Sequence, residues 1–180
     1  MIPDRYKNAK YEDVPQGIRE LFETMKDTRR GLYICGSVGT GKTHFAYALK
    51  QKYDHPQGAW YAQFYNMTKL LHDIRQDFDM PARDKKYLEE DIMGHEHLLI
   101  IDDVGAEKIT DWVAETFYLI VNERYNRMYP TIFTSNLPIK DLADRIGDRT
   151  ASRIVEMCDT VELVGKDHRI TNHIKKVINV

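Results

Sequence analysis

Eight consecutive residues, Gly36-Ser37-Val38-Gly39-Thr40-Gly41-Lys42-Thr43, constrain this chain more than any other stretch. They follow an apolar run, Leu32–Cys35, and open a segment with Phe45, Leu49 and Tyr53 at helical spacing. The pattern is a phosphate cradle of the Walker A type. Its glycines let backbone N–H groups curl around anionic oxygens where a Cβ would obstruct them. The helix that follows points its positive end at the same place. In such a cradle Lys42 reaches the β and γ phosphates of ATP, and Thr43 sets its hydroxyl on Mg²⁺. A glycine-rich turn with a chance Lys-Thr pair is the plain alternative. A strand before and a helix after favour the cradle.

Farther along stands Leu98-Leu99-Ile100-Ile101-Asp102-Asp103. Four apolar residues read as a buried central strand, and carboxylates at its end need a reason for being there. A Walker B strand supplies one. Asp102 would hold Mg²⁺ through water, and Asp103 would orient and deprotonate an attacking water. The competing reading is an acidic turn into Gly105. An Asp at the second position is one methylene shorter than a Glu, which suits slow hydrolysis.

Around these motifs, strand-like and helix-like segments alternate. Strands are expected at Leu32–Cys35, Ala59–Tyr65, His97–Asp102, Thr131–Ser135 and Thr160–Val164. Helices are expected over Gly17–Lys26, Lys42–Tyr53, Met67–Phe78 and Asp111–Met128. Such alternation predicts an α/β fold with a mainly parallel sheet covered on both faces. At 180 residues the chain has room for one domain. No apolar run approaches the length of a membrane span, and no secretion signal opens the chain. The two cysteines, Cys35 and Cys158, are too few for a disulfide framework. The cytoplasm is the expected compartment, with no membrane partner. The 26 basic and 28 acidic residues nearly cancel, to −2. A dedicated duplex-DNA binder carries a basic excess, so any nucleic-acid contact must come from a local patch or from assembly of several subunits.

Two further segments carry candidate groups. Thr131-Ile132-Phe133-Thr134-Ser135-Asn136 ends a short apolar strand in polar residues, and Asn136 either faces the same site or caps the helix entered at Pro138. Arg149 and Arg153 are four residues apart and share a face if that segment is helical. By residue type alone they read as a solvated basic face.

Taken in order, these segments resemble the DnaC/IstB family of bacterial replicative-helicase loaders and transposon ATPase helpers. The resemblance runs from Ile2-Pro3-Asp4-Arg5-Tyr6 through the cradle, with His44 and Ala46. It continues through Ile101-Asp102-Asp103-Val104-Gly105, Asn122-Glu123-Arg124-Tyr125, Thr134-Ser135-Asn136-Leu137 and Ser152-Arg153-Ile154. It ends at Gly165-Lys166-Asp167-His168-Arg169. The Walker motifs are widely shared; the other series are more particular. The resemblance implies a P-loop NTPase of the AAA+ type, with a five-stranded sheet in the order 5-1-4-3-2. It implies Asn136 as the sensor that positions the lytic water, and Arg153 as an arginine finger offered to a neighbouring subunit. Arg169 would be a second sensor on the nucleotide. One ATPase domain is expected over residues 1–180, with 1–30 as lead-in and first helix and 165–180 as a basic tail. With 16 residues after Val164, no helical lid is expected. Against that family the chain is expected to begin at the ATPase core, after the point where loaders carry a helicase-binding segment.

The function so implied is an ATP-binding, slowly hydrolysing accessory factor of DNA replication, resembling a helicase loader. Its partners would be further copies of itself through the ATP site, a replicative helicase or a transposase, and single-stranded DNA. A transposition helper of the IstB type and a P-loop kinase of small molecules are the rivals, with a non-hydrolysing switch behind them. The Thr134-Ser135-Asn136 strand end and the Ser152-Arg153-Ile154 segment count against a kinase, which wants an Arg-rich lid and an acceptor pocket. His95-Glu96-His97 reads as a polar loop, because residues two apart at a strand start do not converge on a metal. Trp60, Tyr61, Phe64 and Tyr65 alternate as strand residues filling two faces. The Lys and Arg residues between 69 and 86 are diluted by acids.

Overall fold

The computed structural model describes residues 2–54, 61–81, 92 and 96–165. Five strands, β1 Gly31–Gly36, β2 Ala62–Asn66, β3 Leu98–Val104, β4 Thr131–Ser135 and β5 Cys158–Leu163, form one sheet in the order β2-β3-β4-β1-β5. All four pairings are parallel. This is the expected order, read from the other edge. The described helices are α1 Gln16–Thr28, α2 Lys42–Tyr53, α3 Met67–Asp79, α4 Asp111–Asn126, α5 Ile139–Ile146 and α6 Asp148–Met157. Two 3-10 turns, Asp4–Tyr6 and Tyr11–Asp13, precede α1.

Strand alternation divides the core. Leu32 and Ile34 of β1, Leu98 and Ile100 of β3, and Ile132 of β4 pack against Ile18, Phe22 and Met25 of α1 and Ala46 and Leu49 of α2. Their neighbours Tyr33, Cys35, Leu99, Ile101 and Phe133 face Leu70 and Ile74 of α3, Phe117 and Ile120 of α4, Leu142 of α5 and Ile154 of α6. A period of two along each strand thus builds two cores at once. Residues Leu98–Ile101 are all fully buried, each such side chain stabilising the fold by about 1.5–3 kcal/mol. On β2, Phe64 joins the α2 side and Tyr65 the α3 side, as strand alternation predicts. Cys35 and Cys158 are both free and buried.

Local signals set several helix ends. The Asn66 side chain accepts from the Lys69 N–H, and the Thr110 side chain from the Val113 N–H, so each caps its helix. Pro138 starts α5 with no side-chain cap. Gly147, at φ +86, ends α5 and starts α6, so a single residue separates the two helices. Of the expected second strand, Ala59 and Trp60 lie outside the described residues, as do His95, the basic residues 83–86 and the whole segment 166–180. The expectation about a lid concerns that last segment. Among the described residues no helix is long and apolar enough to cross a membrane.

Candidate functional site

The sheet delivers its polar groups to one end. β1 stops at Gly36, whose φ of +148 lies where L side chains are strained, and a Cβ there would meet the Leu163 carbonyl oxygen at 2.4 Å. The loop then runs from Ser37 to Gly41. Gly41, at φ +95, is the residue from which α2 starts. Thr40 Oγ1 donates to the Ser37 carbonyl at 2.9 Å, closing the loop on itself. Lys42, buried at the first turn of α2, donates from Nζ to the carbonyls of Gly36 at 2.7 Å and Ser37 at 2.8 Å. Its ammonium therefore sits inside the curl of the loop.

Thr43, beside it, aims at the end of β3. Its hydroxyl lies 3.1 Å from both carboxylate oxygens of Asp102. Asp102 Oδ1 also accepts from Thr134 Oγ1 at 2.6 Å. Burial pushes the Asp102 carboxyl above its ordinary value, the two hydroxyl donors pull it back, and the neighbouring Asp103 adds to the rise. Asp103 has φ +65, a left-handed conformation that non-glycine residues adopt at a cost. Its N–H donates to Thr134 Oγ1 at 2.9 Å, and its Oδ1 accepts from Asn136 Nδ2 at 3.1 Å. Asn136 therefore turns to the acids; it does not cap α5. A further acid, Glu107, accepts from the Gly105 N–H at 3.3 Å, and burial raises its pKa.

Several of these groups, though neither Asp102 nor Glu107, line a cleft of about 630 Å³, within the range of small-molecule sites. Lys42, Thr43, Asp103, Thr134 and Asn136 form its floor, and Arg5, Tyr6, Asp13, His44 and Phe45 stand on the lead-in side. Tyr6 stacks on Tyr47 at 4.7 Å, which stacks on Phe64 at 3.9 Å. That column ties the lead-in to α2 and β2. Sequence spacing could not have found Arg5 and Tyr6, because only the tertiary fold brings them beside the loop.

The residues fit a nucleoside triphosphate and its cation. A loop of left-handed glycines with an ammonium in its curl suits phosphate oxygens. A hydroxyl paired with a carboxylate is a hard-oxygen set of the kind Mg²⁺ takes. Val38 is exposed at the loop tip, while Gly39 and Thr40 are buried. Arg153 lies apart from the cleft lining. Its Nε donates to Asn122 Oδ1 at 2.9 Å and an outer nitrogen donates to the Arg149 carbonyl at 3.1 Å. Its guanidinium carbon is 5.2 Å from the Tyr118 ring centre and 5.5 Å from that of Tyr125. Arg149 also lies over Tyr118. The two arginines do share a face, and α4 holds it. Arg169 falls outside the described residues.

A sequence model of the family described as IstB-like ATP binding protein matches residues 15–176. The chain belongs to that family. The chain is 27% identical over 172 residues to the phage-like element PBSX protein XkdC of Bacillus subtilis (strain 168), covering 85% of this chain and 61% of that protein. It is 24% identical over 142 residues to the replicative helicase loader DnaI of the same strain, covering 78% of this chain and 43% of DnaI. The chain spans about half the length of these two relatives. The crystal structure of the DnaC helicase loader superposes with a TM-score of 0.76 and 27% identity, covering 90% of this chain and 100% of that one. The fold is that of the AAA+ P-loop ATPases, and this IstB-like protein is similar to the DnaC and DnaI loaders.

Proposed function

We propose that the chain binds Mg·ATP in this cleft and hydrolyses it slowly, as the ATPase core of a replication accessory factor resembling a helicase loader. One observation carries the reading. Thr43, Asp102, Thr134, Asp103 and Asn136 form a single hydrogen-bonded run from the glycine loop to the ends of β3 and β4. Thr43 and Asp102 would hold Mg²⁺, which when bound supplies positive charge beside the phosphate oxygens. Lys42 would exchange the loop carbonyls it now contacts for phosphate oxygens. Asp103, oriented by Asn136, would accept the proton of the attacking water. The similarity to the DnaI and DnaC helicase loaders supports a replicative helicase as partner, and single-stranded DNA is proposed beside it. The near-neutral charge supports DNA contact through assembly and not through one subunit.

Arg153 stands outside the lining of the cleft. Its seat on α4 supports a finger offered to the next subunit, a device worth roughly a thousandfold or more in rate in P-loop enzymes. The test mixes two variants. Arg153→Ala and Asp103→Asn should each bind ATP nearly as wild type does and turn over almost none. Mixed, some interfaces pair an intact Asp103 site with an intact Arg153 donor, so turnover should partly return. A mixture that stays inactive while the proteins co-assemble rejects the shared site, and so does full activity of Arg153→Ala alone.

A further inference from the structure

Adjacent residues on a regular strand point to opposite faces of the sheet. Asp103 nevertheless lines the cleft while Asp102 beside it meets Thr43 of the same cleft at 3.1 Å. The pairing of β3 with β4 shows how. Between the pairs Ile101↔Phe133 and Val104↔Ser135, β3 advances three residues while β4 advances two. The extra residue is accommodated where Asp103 turns left-handed at φ +65. Such a bulge removes a backbone N–H from the ladder and leaves it in search of an acceptor. The β4 residue opposite is Thr134, and its side chain supplies that acceptor. Thr134 Oγ1 takes the Asp103 N–H at 2.9 Å and donates its own proton to Asp102 Oδ1 at 2.6 Å. The residue is only 1% exposed. With one lone pair engaged by an amide, the hydroxyl proton is directed to the carboxylate.

We infer that Thr134 is the positioning residue of this site: its hydroxyl holds the β3 bulge and so presents Asp102 and Asp103 to the same nucleotide. The inference rests on the reading of those acids as metal holder and base. A hydroxyl in this place works at both ends of the bulge, and a methyl group of the same shape works at neither. Thr134 thus acts on the metal only through Asp102, and on the lytic water only through Asp103.

The experiment compares Thr134→Val, Thr134→Ser and wild type, each checked for folding by circular dichroism and thermal melting. A fluorescent ATP analogue is titrated in EDTA and then at increasing Mg²⁺, and turnover is measured separately. In EDTA all three should bind within about twofold of one another. In Thr134→Val the Mg²⁺ needed for half-maximal tightening should rise about tenfold and kcat should fall about a hundredfold, the range seen on losing an outer partner of a metal ligand. Thr134→Ser should stay within about threefold of wild type in both. In an Asp102→Asn background, Thr134→Val should shift the Mg²⁺ response by no more than about twofold, since its target is gone. Should Thr134→Val not fold, Thr134→Ala carries the same comparison. A Mg²⁺ response in the apolar variant equal to that of wild type overturns the inference, as does a serine variant as impaired as the valine one. A full additional shift in the Asp102→Asn background overturns it too. A wild-type protein whose ATP binding ignores Mg²⁺ instead overturns the metal-site reading beneath it.

Discussion

The two ends of the sheet use similar polar groups to opposite effect. At the amino ends of the strands, Arg124 is 1% exposed and spreads its guanidinium over Thr131 Oγ1 and the carbonyls of Ile92, His97 and Pro130, at 2.7 to 2.9 Å. Burial draws its pKa down to about 9, which leaves it a cation at neutral pH. Nearby, Arg30 donates to Asp159 and to the carbonyls of Glu156 and Cys158, joining the start of β1 to that of β5. At the carboxyl ends, Lys42 rests on loop carbonyls, Asp102 is buried against its own preference, and Asp103 holds a left-handed backbone. Cations at one end close carbonyls that the fold itself exposes. At the other end, charged groups gather beside an open cleft. Stability is therefore concentrated at the bottom of the sheet and readiness to bind at the top.

Substitutions should separate the two ends. The largest effect is expected from Arg124→Met, which fills the space but leaves buried carbonyls without a donor. Unfolding in urea should show a loss of about 3–5 kcal/mol, and a loss below about 1 kcal/mol would mean that the clamp is idle. Next comes Lys42→Ala. ATP affinity, read by fluorescence titration, should fall at least a hundredfold, or about 2.7 kcal/mol, while apo stability moves by less than about 1 kcal/mol. An unfolded or destabilised Lys42→Ala protein would make this lysine a bottom-type residue in the wrong place. The smallest effect has the opposite sign. Asp102→Asn removes a buried charge, so the apo protein in EDTA should gain about 1 kcal/mol while the Mg²⁺ dependence of its ATP binding weakens without vanishing. A destabilised apo Asp102→Asn would show that the top end, too, is built for stability.

How much of this was legible in the sequence differs in the same way. The glycine loop, the apolar strand ahead of the acids and the polar end of β4 are local patterns, and the sheet order followed from the family they resemble. Asn136 left two readings open, and only the contact with Asp103 separates them. Thr134 stood in plain view in the Thr-Ser-Asn series but carried no signal. Its importance depends on a one-residue slip between strands that are distant in sequence. Arg124 read as part of a motif without a stated task, because residue type puts arginine at the surface and the carbonyls that hold it lie as far as 32 residues away. Arg5 and Tyr6 reach the cleft through the fold of the lead-in, for which no periodicity codes.

The place of β1 in the sheet has a consequence for how the chain comes into being. Leu32 pairs with Ile132, and Gly31 with Cys158, so both neighbours of the strand that carries the glycine loop lie 100 or more residues downstream. On a ribosome adding about 5–20 residues per second, β1 waits some seconds with neither edge covered. Parallel pairing over such separations is slow to nucleate. The nucleotide pocket consequently cannot be born early as a module to which the rest is added. It arises when β4 and β5 arrive on either side of β1, in the same late event that closes the sheet, and a nascent chain halted before Thr131 carries the complete glycine loop without the site.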